Sequence, residues 1–192
     1  MDAFLLALFL SLILASGGKG PLVVQALRAR FDNEAAIFSA VLIALAANVT
    51  LSLVGGAFIA RMLTPEARNL FFAMALGAGG AGLLITARPF SIPAHKPRGS
   101  KLGAFFLSGF AIFRHSLGDG AQFLIAGLAA SRAIPGLAGA GGWIGCVLAC
   151  LFLPALFQGT LPLTLIKALR IGAAIVLMLF GFVVAMHALR LA

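Results

Sequence analysis

Three ionisable side chains, Arg114, His115 and Asp119, fall within six residues of one another inside an otherwise apolar stretch. At the centre of a bilayer each such group costs roughly 2.5–3.5 kcal/mol on insertion scales, so a chain that keeps them turns them inward onto partners. His115 and Asp119 are four residues apart and share one helical face if the turn between them is intact. A carboxylate beside an imidazole can store or pass a proton near neutral pH. The blander alternative is a self-satisfied polar cluster that joins helices. Arg114 sits about 16 Å past the start of its helix, too deep to reach the headgroups easily, and needs an acceptor. Asp119 is the acidic side chain placed within the membrane interior, and Lys19 is a second cation there, the alternative being that the first helix ends at Gly17 and leaves this ammonium at the interface. Arg114, Lys19 and Asp119 are therefore expected to share one polar pocket. Ser16, Ser116, Gln25, Gln122, Asn48 and Thr50 are further candidates for its lining, or equally for interhelical hydrogen bonds.

The elements that would position these groups are interrupted beside them. Gly17, Gly18, Lys19, Gly20 and Pro21 break one apolar run, and Gly118, Asp119 and Gly120 break another. Interior glycine costs about 1 kcal/mol against alanine, and proline cannot donate its backbone hydrogen bond, so both runs are expected to bend or unwind. Backbone at membrane depth leaves helical geometry only where protein or a water-filled cavity supplies partners. The two breaks lie about 101 residues apart. Paired interrupted helices in corresponding positions of two halves point to a transporter site, the alternative being two packing kinks.

Composition supplies the solvent. Of 192 residues, 62% are hydrophobic and 10% charged, and the mean hydropathy is +1.12, far from the roughly 25% charged residues of a soluble domain. The 14 Lys and Arg and 5 Asp and Glu are too few to cover a globule in water. The net charge of +9 falls in short clusters between apolar runs, such as Arg28 with Arg30 and Lys167 with Arg170. That is membrane-flanking charge and argues against nucleic-acid binding. Cys146 and Cys150 lie four apart in an apolar run with no His or carboxylate neighbour in sequence, and read as small packing residues. The apolar run from Phe4 to Ala15 follows Asp2 rather than a basic segment, so it reads as a retained helix rather than a signal peptide.

Crossing about 30 Å of hydrocarbon at 1.5 Å per residue takes roughly 20 apolar residues. On that measure six helices are expected, near 3–30, 36–61, 66–87, 104–130, 136–158 and 168–190. The fold class is all-α, a polytopic membrane protein of two inverted three-helix repeats. Repeat one is 1–87, a central polar loop is 88–102, and repeat two is 103–192. That loop carries Arg88, Pro89, Pro93, His95, Lys96, Pro97, Arg98 and Lys101. An odd number of helices per half sets the halves in opposite orientation. Eight Lys and Arg in loops one, three and five, against Arg61, Arg68, Arg132 and Arg190 opposite, place the central loop in the cytoplasm and both termini outside.

In these features the chain resembles the Gdt family of cation/proton antiporters, which includes Golgi manganese and calcium transporters and bacterial manganese exporters. That family has two inverted three-helix repeats. Each opens with a Glu-x-Gly-Asp-(Lys/Arg)-(Thr/Ser) signature and continues in a helix ending near Ala-Ala-Arg-Phe. The first copy here is Ala15, Ser16, Gly17, Gly18, Lys19, Gly20, leading to Arg28, Ala29, Arg30 and Phe31. The second is Ser116, Leu117, Gly118, Asp119, Gly120, Ala121, leading through Gln122 to Ala129, Ala130, Ser131 and Arg132. Length, helix count, central loop and offset agree over essentially the whole chain. The motifs are eroded: Ala15 and Ser116 replace the two glutamates, Gly18 replaces the first aspartate, and of four carboxylates Asp119 alone remains.

What the resemblance implies is a multi-pass protein of a bacterial inner membrane that exchanges a small ion, manganese or calcium, for protons. Its site would lie between the first and fourth helices, with Asp119 as the remaining metal ligand and no resident cofactor. Lipid, the small ion and protons are its expected partners. The charge balance opposes a divalent ion, because Asp119 and Lys19 cancel and Arg114 would leave the pocket positive. Unit charges 4 Å apart interact by about 4 kcal/mol at an effective dielectric of about 20. The alternative reading is a structural or accessory relative that has lost the metal site. An enzyme is not expected, since no Ser or Cys nucleophile motif accompanies His115 and Asp119.

Overall fold

The computed structural model describes residues 2–84, 100–132, 134–152 and 163–189. Among them every regular element is a helix. In chain order these are α1 (Asp2–Gly17), α2 (Gly20–Arg30), α3 (Glu34–Met62), α4 (Pro65–Leu84), α5 (Lys101–Ser116), α6 (Gly120–Ser131), α7 (Pro135–Val147) and α8 (Leu163–Ala188). A π-helical turn, Leu148–Phe152, continues α7. Most of the expected central loop, from Arg88 through Arg98, lies outside the described residues, as do Arg190 and the expected end of the fifth helix.

Helix starts follow local chemistry. Asn33 caps α3 by accepting from the Ala36 N–H at 3.1 Å, and Ser100 caps α5 by accepting from the Gly103 N–H at 3.1 Å. Each side-chain oxygen satisfies a donor that the first turn leaves without a helical partner. Pro21 and Pro135 sit in the first turns of α2 and α7, where a missing N–H costs nothing.

Among the described residues, four helices are long and apolar enough to cross a bilayer: Glu34–Met62, Pro65–Leu84, Pro135–Phe152 and Arg170–Ala188. The pair α1 and α2, bent by 61°, makes a fifth if taken as one broken span. The expected run 104–130 is divided between α5 and α6, and α6 is a short apolar helix of 12 residues. At 1.5 Å per residue α5 is about 24 Å long, short of the hydrocarbon thickness, and it carries Lys101 and Arg114 near its ends. Large apolar side chains are exposed along every long helix, among them Phe58, Met74, Phe110, Phe123 and Phe182. Such a surface suits a lipid solvent and not water.

The most extensive contacts are α4 on α8 and α1 on α7. Next come α3 on both α5 and α6, and α4 on α6. The α1 and α7 backbones approach closely because α7 offers Gly141 and Gly145 to α1. A Cβ at Gly141 would strike the Phe4 carbonyl, and one at Gly145 would strike Ser11 and the Leu8 carbonyl. Small residues spaced by four permit this approach between membrane helices, where packing rather than water exclusion drives association. Ser11 crosses the same interface, its hydroxyl donating to the Gly142 carbonyl at 3.2 Å as well as to the Ala7 carbonyl of its own helix. Trp143 Nε1 donates to the Leu42 carbonyl at 3.2 Å, tying α7 to α3. Leu14, Leu45, Leu76, Ile112, Leu124 and Ile125 form the centre of the packed interior.

Candidate functional site

The second helix break is built around Asp119. α5 ends at Ser116, and the chain passes through extended Leu117 and then Gly118, whose φ of +80° only glycine adopts without strain. Asp119 then caps α6, with its Oδ1 accepting from the Gly120 N–H at 2.8 Å. Its backbone carbonyl accepts from the Gln122 N–H at 2.9 Å. Gln122 folds back so that its Oε1 accepts from the Gly118 N–H at 3.0 Å. The expected shared face of His115 and Asp119 required an intact turn. That turn is absent, because helical geometry stops between them. His115 Nδ1 instead lies 2.9 Å from the Ala111 carbonyl in its own helix.

The first break is gentler. Only Gly18 and Lys19 separate α1 from α2. Lys19 keeps helical angles and supplies no side-chain cap. Gly18 stands directly against Asp119: a Cβ there would lie 2.6 Å from Asp119 Oδ2. The two breaks therefore touch, with the carboxylate on one side and an absent side chain on the other.

Between them is a cavity of about 20 Å³, lined by Asp119, Ser116, Gln122, Asn48, Cys146 and Cys150 among others. Gly20 and Ala15 complete it from the first break, and Leu45, Val49, Ala121 and Ile125 form its apolar wall. Asn48 is 1% exposed and Ser116 is 8% exposed. Both α2 and α6 begin at this cavity, and α1 and α5 end beside it, so the N- and C-terminal ends of helices meet there and their dipoles oppose one another. The Asp119 carboxylate is the charged group of its lining.

Of the residues expected from the sequence, Asp119, Ser116, Gln122, Asn48 and Gly20 come together here. Gly18 abuts the carboxylate from outside the lining, Gly17 packs on Leu83, and Gly120 packs on Gly79. Lys19 is exposed, though its charge is felt at Asp119. Arg114 is also exposed, in the last turn of α5, where a cation complements the helix dipole. It does not line the cavity with Asp119, because the break after Ser116 ends the helix that would have buried it. Ser16, Gln25 and Thr50 are exposed as well. Cys146 and Cys150 are buried in the packed interior, as expected of small packing residues, and they also stand at the site. Both line the cavity, and Cys150 lies against Gly20, where a Cβ would fall 2.8 Å from its Sγ. Their spacing of one helical turn was the available signal.

Among the described residues, no group of three or more His, Cys, Asp or Glu side chains is placed to hold a metal ion. Among the described residues, Asp119 is the carboxylate that lines the cavity. No family model, curated protein or solved structure matches the chain.

Proposed function

We propose that this chain is a secondary transporter of the Gdt type, exchanging a small ion for protons through Asp119 at a site between two broken helices. The observation that carries the reading is the contact of the two breaks, Gly18 against Asp119 Oδ2, beside a small cavity with mostly apolar walls that Asp119, Asn48 and Gln122 also line. Interrupted helices that meet at the bilayer midplane are where carriers hold their substrates.

In this reading α1 with α2 and α5 with α6 are each one broken passage, which brings the number of passages to six. The halves are inverted repeats in which α3 corresponds to α7 and α4 to α8. Part of the packing supports that correspondence, although the contacts of α3 and α4 with α6 have no counterpart of similar extent between α2 and α7 or α8 among the described residues. α1 rests on α7 and α5 rests on α3; α1 meets α6 and α2 meets α5. The pairs α3 with α7 and α4 with α8 are self-matched under the same exchange. The central loop faces the cytoplasm of a bacterial cell, and the protein crosses its inner membrane several times. Manganese and calcium are the ions the family resemblance suggests, against which stands the provision of one carboxylate where such ions favour several oxygen ligands.

Reconstituted vesicles loaded with a pH-sensitive dye test the proposal when offered manganese, calcium or sodium. Proton movement coupled to one of these ions is expected, and an Asp119→Asn variant is expected to lose it. Flux equal in the two proteins ends the assignment to Asp119. The second reading, an accessory relative that keeps the fold without transport, is favoured by Gly18 standing where the family pattern has its first aspartate. Coupled flux in the unmodified protein excludes it.

A further inference from the structure

The two amides in the cavity have their orientations fixed by backbone groups. Asn48 donates from Nδ2 to the Phe113 carbonyl at 3.2 Å. A carbonyl accepts only, so the amide nitrogen must face it, and the oxygen is turned the other way. Gln122 is held in the opposite sense, since Oε1 accepts from the Gly118 N–H and leaves Nε2 to the other side. Among the described residues, Asn48 Oδ1 and Gln122 Nε2 are both buried without a hydrogen-bond partner. Both residues line the cavity beside Asp119. A buried acceptor and a buried donor thus await one occupant, and leaving each unpaired costs about 1–3 kcal/mol.

We propose that the cavity is a binding site for one water molecule, held by Asn48 and Gln122 against the Asp119 carboxylate, and that this water passes protons to and from Asp119. Size and hydrogen-bond parity both select it. A water needs roughly 10–15 Å³ of such space and typically makes about three hydrogen bonds; the cavity offers about 20 Å³. Water accepts from Gln122 Nε2, donates one hydrogen to Asn48 Oδ1 and donates the other to the carboxylate. A bare cation cannot use the Gln122 donor, and an anion is opposed by the Asn48 oxygen and by Asp119. The proton step balances without a further reactant. A hydronium in the cavity gives its proton to the Asp119 carboxylate, leaving neutral water and a carboxylic acid, and the reverse step restores both.

Among the described residues, the ionisable groups near Asp119 include Lys19 at the first break, whose charge acts on the carboxylate, Cys146 and Cys150 from α7 and its π-helical turn, and Arg170 of α8, whose Nε lies 3.7 Å from where a Gly17 Cβ would stand. The cavity walls contributed by α3, namely Leu45, Asn48 and Val49, carry no charge. Asn48 and Gln122 are accordingly positioning residues, acting on Asp119 through the water.

The inference deepens the proposed transport function and rests on it only for the use made of the proton. Infrared difference spectra of the whole protein in lipid vesicles, in ordinary and ¹⁸O water, test the site. Protonation is expected to perturb an internal water O–H band that shifts with the isotope, together with the Asp119 carboxyl band. Asn48→Leu and Gln122→Leu should each remove the water band and displace the carboxyl band, whereas Ser16→Ala, on the exposed side of the first break, should change neither. Absence of an isotope-sensitive water band in the unmodified protein overturns the proposal, and that measurement needs no variant. So does an isotope-sensitive water band that survives both Asn48→Leu and Gln122→Leu, because the water is then held elsewhere. A water band without coupled flux in the dye assay upholds the site and ends the transport reading instead.

Discussion

At the first interruption the chain leaves α1 and re-enters a helix after two residues, bending by 61° without a capping side chain. At the second it takes three residues, passes through a left-handed glycine, and restarts on the side chain of Asp119. The two occupy matching places in sequence, and each places a glycine or aspartate where they meet. They divide the work: one contributes charge and the other contributes room for it. Had both supplied a carboxylate, like charges would face each other at the centre of the protein. A counter-ion would then be needed to hold the interface together. With Gly18 in that position, the second carboxylate is absent and the first fills the gap. The meeting of the two breaks is an asymmetric contact with one acid.

The sharpest way to break this comparison is Asp119→Asn. Asparagine caps a helix about as well as aspartate, so the protein should fold with unchanged melting temperature while proton-coupled flux in vesicles is abolished. Asp119→Ala should abolish flux and also lower stability by about 0.5–2 kcal/mol through the lost cap.

Gly18→Asp makes the breaks alike. Two carboxylates about 4 Å apart repel by about 4 kcal/mol at an effective dielectric of about 20. Any Cβ at position 18 would also stand 2.6 Å from Asp119 Oδ2, so the variant should melt below a Gly18→Ala control in the presence of a chelator and recover toward it when manganese or calcium is added. A melting curve indifferent to both would show that position 18 does not face Asp119.

Gly118→Ala probes the backbone of the second break alone. Left-handed geometry costs a residue with a Cβ about 1–2 kcal/mol, and open space around Gly118 means no steric clash adds to it. Thermal or denaturant unfolding should register that loss.

The smallest effect belongs to Lys19→Ala. Lys19 is exposed, helical and makes no cap, so its removal should move stability by no more than about 0.5 kcal/mol. A flux change in that variant, with stability unaltered, would mean that its charge acts on the proton at Asp119 rather than on the fold.

These contrasts also show what could be read from residues alone. Both breaks announced themselves as glycines inside apolar runs, and Asp119 was the acid that had to face inward. Four of the long apolar helices were legible from length. The facing of side chains was not. In a helix that is apolar all round, periodicity does not mark the buried side, because lipid and protein interior are equally apolar. That is why Asn48 and Thr50, two residues apart on α3, end as 1% exposed and exposed respectively. It is also why the place of Cys146 and Cys150 at the cavity was not legible. Arg114 was placed by assuming a continuous helix, and the extended Leu117 and left-handed Gly118 invalidated the register for it and for His115 together.

The glycine-lined seam between α1 and α7 bears on how the protein is made. Ser11 and Gly142, joined across it, are 131 residues apart in the chain. At a synthesis rate of about 5–20 residues per second, the first helix spends on the order of ten seconds in the bilayer before its mate emerges from the ribosome. Throughout that interval Ser11 must satisfy its hydroxyl locally, as it does through the Ala7 carbonyl. Final assembly is thus a late docking event between a waiting segment and a newly inserted one, rather than the sequential completion of one half and then the other.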